Sequence, residues 1–472
     1  MSNSVLSTTP PQSDNWRLWR NYAAEGSVIL LVLAVLPSSM TVSVLGITAF
    51  IFLALGAKKP AFIVASIMLV ELTIAQYPPR IFGLPMNTRY AITFGGAAIT
   101  LLLIPLIGQR LTLGPGWRRV VFPGGILVIL IGISTANGFT PELTSQAVRY
   151  HLSAFMAMLL IAMLVRTRSD LKLVGTVGII VLVISAATAI MQHYSFIGIP
   201  AAAIYRSGLD NSRAMGLTSS AIQSSGHFMV GVVFLWGLVT QLTLEKPAGR
   251  FMLLMASLVF LGLYFTWTRS AVLGVALGGG LFITPFLSGR VRKEILLAAL
   301  FLVPMAGLFV VMSGTRYTKD SSNDSRVVLW KVGIEIGKDY PLLGIGNNAY
   351  RVVAPMYASE LTFSDTILDT NLVSSVDKFP VHNDFLRVWL SFGIPALIVY
   401  TLLLIGIAVN SLQAYFRGKD PWLRGASLGC FGALMAYIVN SMAHNSLDST
   451  MTLWILAGLS LVLLRLNSQP QE

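Results

Sequence analysis

One histidine and a handful of arginines carry the chemistry that can be read from this chain. His382 ends a long polar stretch and stands directly before a renewed apolar run. Pro380 biases the residue before it away from helix, and Asn383 or Asp384 can cap the helix that follows. The imidazole is thereby presented at a fixed position rather than on a loose tip. Neutral imidazole near its unperturbed pKa is a natural general base at physiological pH. Arg206 and Arg213 lie in AAAIYRSGLDNSRAMGLTSSAIQSSGH, Arg269 in TWTRSA, Arg326 in DSRVVLWKVGIEIGK, and His444 and Asp448 in MAHNSLDST. The planar fork of arginine suits phosphate oxygens, singly or as a bidentate pair. Arginines converging with a histidine point to proton abstraction beside an anionic ligand. A phosphate arriving on a lipid needs such a group of charges at the edge of a membrane.

Each residue also has a plain reading. Arg213 can pair with Asp210, Arg206 can anchor at lipid headgroups, and Arg269 can hydrogen-bond the ends of neighbouring helices. Arg326 and Trp330 share a face if their segment is helical, with Asp324 or Ser325 as its cap, and packing alone explains Trp330. His151 and His193 flank apolar runs and read as interface residues. His227 reads as a helix–helix contact.

The elements that must position these groups are membrane helices. Of 472 residues, 55% are hydrophobic and 11% charged, and the mean hydropathy is +0.73. Globular domains carry roughly 25% charged residues. Apolar runs of spanning length recur from Ser27 to Leu466, and at about 20 residues per span they predict an all-α polytopic membrane protein of about 12 to 14 transmembrane helices. Ser27–Ala57 is longer than one span and is broken at Pro37-Ser38-Ser39, so a hairpin of two short helices is expected there. The polar segment 313–384 is long enough to fold outside the lipid and reads as one large, partly helical loop capping a membrane-embedded site. A polar N-terminal tail (1–26), N-terminal helices (27–312), C-terminal helices (385–466) and a short tail (467–472) complete the plan. No cleavable signal peptide is visible, so the first apolar segment is expected to direct insertion.

Orientation follows from Lys and Arg in the short connections. Lys58 and Lys59, Arg118 and Arg119, Arg166 and Arg168, Lys246 and Arg250, and Arg417, Lys419 and Arg424 fall on alternate connections. That set is expected to be cytoplasmic, which places the large loop and the arginine–histidine set on the external, periplasmic side. The net charge of +13 is read as this orientation signal and as attraction to anionic lipids rather than as nucleic-acid binding. The single cysteine, Cys430, excludes an intrachain disulfide and a multi-cysteine metal site. Metal-ligand spacings, a Walker loop and a nucleophile elbow are absent. GIGNNAY reads as a turn after Pro341, and GVALGGG as close helix packing.

Three stretches resemble the O-antigen ligase/O-antigen polymerase superfamily of bacterial envelope glycosyltransferases. RAMGLTSSAIQSSG resembles its Arg-x-x-Gly loop before a span. SRVVLWKVGIEIGKDYPLLGIGNNAYRVV resembles the Arg…Trp…Pro-Leu-x-Gly-x-Gly pattern of its large periplasmic loop. VHNDFLRVWLSFGIPAL resembles its His-Asn-x-x-Leu…Gly helix start. The resemblance runs from about Arg206 to Leu466, and the first 200 or so residues match only as spans.

It implies transfer of a glycan from an undecaprenyl-diphosphate carrier to an acceptor hydroxyl, on the periplasmic face of the bacterial inner membrane, with neither metal nor other cofactor. The acceptor would be glycan, lipid A-core or another hydroxyl, and the remaining partners membrane lipids. His382 matches the catalytic histidine, and Arg213 and Arg326 match the arginines that hold the diphosphate. Arg206, Arg269, Asp384, His444 and Asp448 are supporting candidates. The rival readings are a transporter or flippase of lipid-linked sugars and a protein O-oligosaccharyltransferase. A transporter is expected to keep charges in mid-span, where Glu71 is the main acidic residue.

Overall fold

A computed structural model describes residues 38–56, 58–74, 80–81, 84–85, 88–107, 112–194, 213–241, 247–283, 286, 321–363, 376 and 380–469. The first half of the expected N-terminal hairpin, the apolar run Glu294–Met312 and Arg206 lie outside them.

The described chain is helical, apart from a two-residue antiparallel ribbon, Arg80–Ile81 against Leu84–Pro85. In order the helices are α1 (Ser38–Leu55), α2 (Ala61–Glu71), α3 (Thr88–Ile107), α4 (Val121–Asn137), α5 (Thr144–Leu164), α6 (Arg168–His193), α7 (Ala221–Gln241), α8 (Pro247–Phe265), α9 (Arg269–Val275), α10 (Ser321–Asp339), α11 (Tyr350–Phe363), α12 (Asp384–Arg417), α13 (Pro421–Ser441), α14 (Ser446–Ser449) and α15 (Thr452–Ser468). Seven are long and apolar enough to cross a bilayer, counting the short turns that lead into α4 and α5. Four more apolar helices are shorter, among them α2 and α15. The protein is an all-α, multi-pass membrane protein.

The helices are apolar all round, and burial sorts their faces. On α12, Ile394, Ile398, Leu402 and Ile405 are exposed, whereas Tyr400, Leu403 and Ile407 are buried. Exposed apolar residues at this spacing form a lipid-facing stripe. Where backbones approach closely, glycine is required. A Cβ on Gly278 would lie 2.6 Å from Gly432 O and 2.7 Å from Ala436 Cβ, so GVALGGG packs against α13 as small residues do in membrane bundles.

The two ends of the bundle differ. At one end, Lys59 lies 3.8 Å from Asp170 and Arg168 2.7 Å from Asp420. There Arg465 donates to the carbonyls of Thr112, Ala162 and Val165. The opposite end holds the starts of α7, α9 and α12 and the segment α10–α11. That segment has an apolar cluster of its own, in which Leu329, Val332, Ile336, Ile345, Val353 and Ala358 are buried.

Glu71, expected in mid-span, is the last residue of α2, and its charge is matched by neighbouring groups. Arg89 contacts its carboxylate at 2.8 and 3.0 Å, and the Met451 N–H donates to it at 2.6 Å. His227 lies 3.7 Å away. Burying such a pair is tolerable only with these additional partners. The network ties α2, α3 and α7 to the start of α15.

Candidate active site

His382 is held from both sides. Upstream, Trp330 Nε1 on α10 donates to the carbonyl of Val381 at 2.9 Å. Downstream, the backbone N–H of Asn383 donates to Asn445 Oδ1 at 3.1 Å. The Asn383 side chain caps α12 by accepting from the N–H of Leu386 at 3.0 Å, as the sequence led us to expect. Between these anchors His382 takes φ +52°, a left-handed conformation that costs a non-glycine residue energy and concentrates at functional sites.

The loop after Pro341 fixes the start of α12. Ile345 and Gly346 donate to the carbonyls of Leu390 and Ser391, and Ile394 donates to that of Pro341 at 2.7 Å. The helix kinks at Gly393, whose φ is +85°. Any Cβ there would run into the carbonyl of Leu342. The Pro-Leu-Leu-Gly-Ile-Gly and His-Asn…Gly stretches are thus two halves of one joint.

Arg213 is also braced. Its Nε donates to the Thr266 carbonyl at 2.9 Å and its Nη2 to Thr268 Oγ1 at 2.7 Å. The expected partner Asp210 lies outside the described residues. Gln192 pins the same segment by accepting from the N–H groups of Met215 and Gly216. Trp267, between the two threonines, has φ +54°.

These charged groups act on one another. Burial, then Arg326 and Arg351, hold the His382 imidazole well below its usual range, at about 4. Burial, then Arg326, His382 and Arg213, lower His444 to about 3. The two rings meet edge to face with centroids 6.1 Å apart. Arg326 feels burial and then Arg269, both of which oppose its charge. Arg326 thus acts on both imidazoles, Arg213 on His444 and Arg269 on Arg326. Clustered positive charge of this kind favours an anion and a neutral imidazole.

Asp384 and Asp448 play different parts. Asp384 is fully buried and turns inward, accepting from Tyr437 OH at 3.2 Å and from the Leu447 N–H at 3.0 Å. It secures α14 against α12. Asp448 pairs with Arg387, and His151 Nε2 lies 3.4 Å from its other oxygen. Burial raises its carboxyl, but Arg387 and His151 outweigh that and hold it at about 2. Arg387 also donates to Asn347 Oδ1 at 2.7 Å. His151 is therefore 1% exposed and part of a polar chain, which corrects its reading as an interface residue.

Sequence reasoning passed over Arg351, Arg387 and His151. A signal was present for one of them: Arg387 is an ionisable group inside an apolar run, and such groups rarely face lipid.

Two comparisons bear on this site. Residues 253–401 match the family described as O-Antigen ligase, a stretch that includes Arg269, Arg326 and His382. A 161-residue segment is 27% identical to the exopolysaccharide production protein ExoQ of Rhizobium meliloti (strain 1021), covering 33% of this chain and 35% of that protein. The chain thus spans about a third of the length of that relative. Through residues 253–401 the chain is similar to the O-antigen ligase family.

Proposed function

We propose that this protein is a glycosyltransferase of surface-polysaccharide assembly, acting as ligase or polymerase at the periplasmic face of the inner membrane. The observation that supports the reading is the pair of imidazoles, His382 and His444, in edge-to-face contact, with Arg326 acting on both, Arg213 on His444 and Arg269 on Arg326. The donor is a glycan on an undecaprenyl-diphosphate carrier, and it enters sideways from the outer leaflet. The acceptor is a hydroxyl of a glycan, of lipid A-core or of a comparable molecule. The segment 313–384 caps the site.

The acceptor oxygen attacks the anomeric carbon and loses its proton to His382. The bond from that carbon to the diphosphate oxygen breaks, and the leaving group takes the electron pair. A single displacement of this kind inverts the anomeric centre. Fixed guanidinium groups contribute most where charge develops, which is the role of Arg213 and Arg326 at the departing diphosphate. The arginines that depress His382 in the free protein are offset once the diphosphate sits among them. The bound donor therefore raises the basicity of His382 when the proton must move.

The test is in-vitro transfer from a defined undecaprenyl-diphosphate glycan to candidate glycan acceptors, with no added metal or nucleotide. The expected product carries the glycan in inverted configuration and free undecaprenyl diphosphate is released. A purified, folded protein that moves the intact lipid-linked donor across vesicles and yields no such product is a flippase, and the reading fails.

A further inference from the structure

Beside His382 lies a second, chemically distinct space. A cavity of about 490 Å³ is lined by Asn348, Arg351, Val381, Arg387, Asn445 and Asp448, among others. Its wall at Val381 leads into His382, and Asn445 is the residue that holds Asn383. We propose that this cavity is the acceptor subsite, that it takes the uncharged, hydroxyl-bearing end of a short glycan, and that the Arg387–Asp448 pair is its specificity-determining floor. The inference rests on the glycosyl-transfer reading above.

The volume falls within the roughly 300–1,000 Å³ typical of small-molecule sites. The lining shares Arg351 with the surroundings of His382 but adds a carboxylate, Asp448, that the arginine cluster lacks. Asp448 places a hydrogen-bond-accepting carboxylate, paired with Arg387, in the wall. Arg387 and Asp448 neutralise one another and are fixed further by Asn347 and His151. A ligand therefore meets a rigid, nearly neutral donor–acceptor pair. With the amides of Asn348 and Asn445 these groups suit sugar hydroxyls, which both give and accept hydrogen bonds. Val381, Pro380 and Leu390 supply apolar wall for the C–H face of a ring. Asn348 has φ +57°, a strained backbone at the cavity rim. The anion-binding and carboxylate-bearing halves meet at His382, where acceptor oxygen and anomeric carbon must meet.

The experiment is steady-state transfer with the full-length protein in lipid nanodiscs. The donor is an undecaprenyl-diphosphate-linked repeat unit, and the acceptor is the oligosaccharide repeat of the same polysaccharide. Each is varied while the other is saturating. Asp448→Asn should raise the acceptor KM about 10-fold or more and leave the donor KM within about 2-fold, a 10-fold change being worth about 1.4 kcal/mol. Should Asp448→Asn fail to fold, Asn348→Gly trims the lining and keeps the positive φ, and it should raise the acceptor KM in the same selective way. An unchanged acceptor KM in the folded variants overturns the subsite. A raised donor KM with an unchanged acceptor KM assigns the cavity to the donor and also overturns it. Wild-type protein without any transfer overturns the underlying reading instead, so the two failures are distinguishable.

Discussion

Replacing Arg326 by glutamine should move the titration of His382. The imidazole has an ordinary pKa of 6.5 and stands at about 4 in this protein, with burial the first cause, Arg326 the second and Arg351 the third. Removing Arg326 leaves burial and Arg351 in place, so only part of the shift returns. We expect a rise of about one unit, equivalent to about 1.4 kcal/mol. The sign is fixed by the chemistry: protonated imidazole cannot accept a proton, so transfer is lost as pH falls through the pKa of the folded protein. The acid limb of kcat/KM reports the free enzyme. It should lie near pH 4 in the wild type and near pH 5 in Arg326→Gln. The acid limb of kcat reports the donor complex and should lie at higher pH than that of kcat/KM in the wild type, because the bound diphosphate offsets the arginines. The assay is the initial transfer rate from pH 3.5 to 8, read as the position of the limb rather than its height, because Arg326 also serves the leaving group. Coincident limbs in two folded proteins would refute the placement of Arg326 beside His382.

Other expectations follow from the same contacts. Arg213→Ala should weaken donor binding about 10- to 100-fold, the worth of a charge-assisted hydrogen bond. Arg213→Lys should recover part of it in a lipid-diphosphate binding assay, and equal affinity in all three proteins removes Arg213 from the donor site. Glu71→Ala removes the buried carboxylate that pairs with Arg89 and accepts the Met451 N–H and should cost about 3–5 kcal/mol. Thermal unfolding in detergent reads this directly, and an unshifted midpoint contradicts it. Gly393→Ala places a methyl against the Leu342 carbonyl and forces apart the joint that aims His382. It should lower kcat more than it lowers donor affinity, and wild-type kinetics would show that the joint does not matter.

The candidate residues could be picked out by type because they interrupt apolar runs or border them. His382 and the cap Asn383 were legible this way, since each has a local reason to sit at a helix start; Arg326, expected just after a cap at Asp324 or Ser325, lies in the second turn of α10, which begins at Ser321. The multi-pass architecture was legible from composition alone. What stayed hidden depends on which faces meet. Helices that are apolar all round carry no phase, so nothing in the sequence pairs His151 with Asp448 or Glu71 with Arg89. Arg387 was absorbed into the run that begins at Phe385, although its charge is matched by Asp448 from a distant connection. Trp330 had a sufficient explanation in packing, and its hydrogen bond to Val381 emerges only once α10 is laid against the segment before His382.

The most direct measurement is the effect of His382→Ala on transfer and on donor binding in the same preparation. Loss of transfer by at least about 100-fold, the contribution expected of a general base, with donor affinity retained, is the predicted result. Full transfer by His382→Ala would contradict the account at its centre.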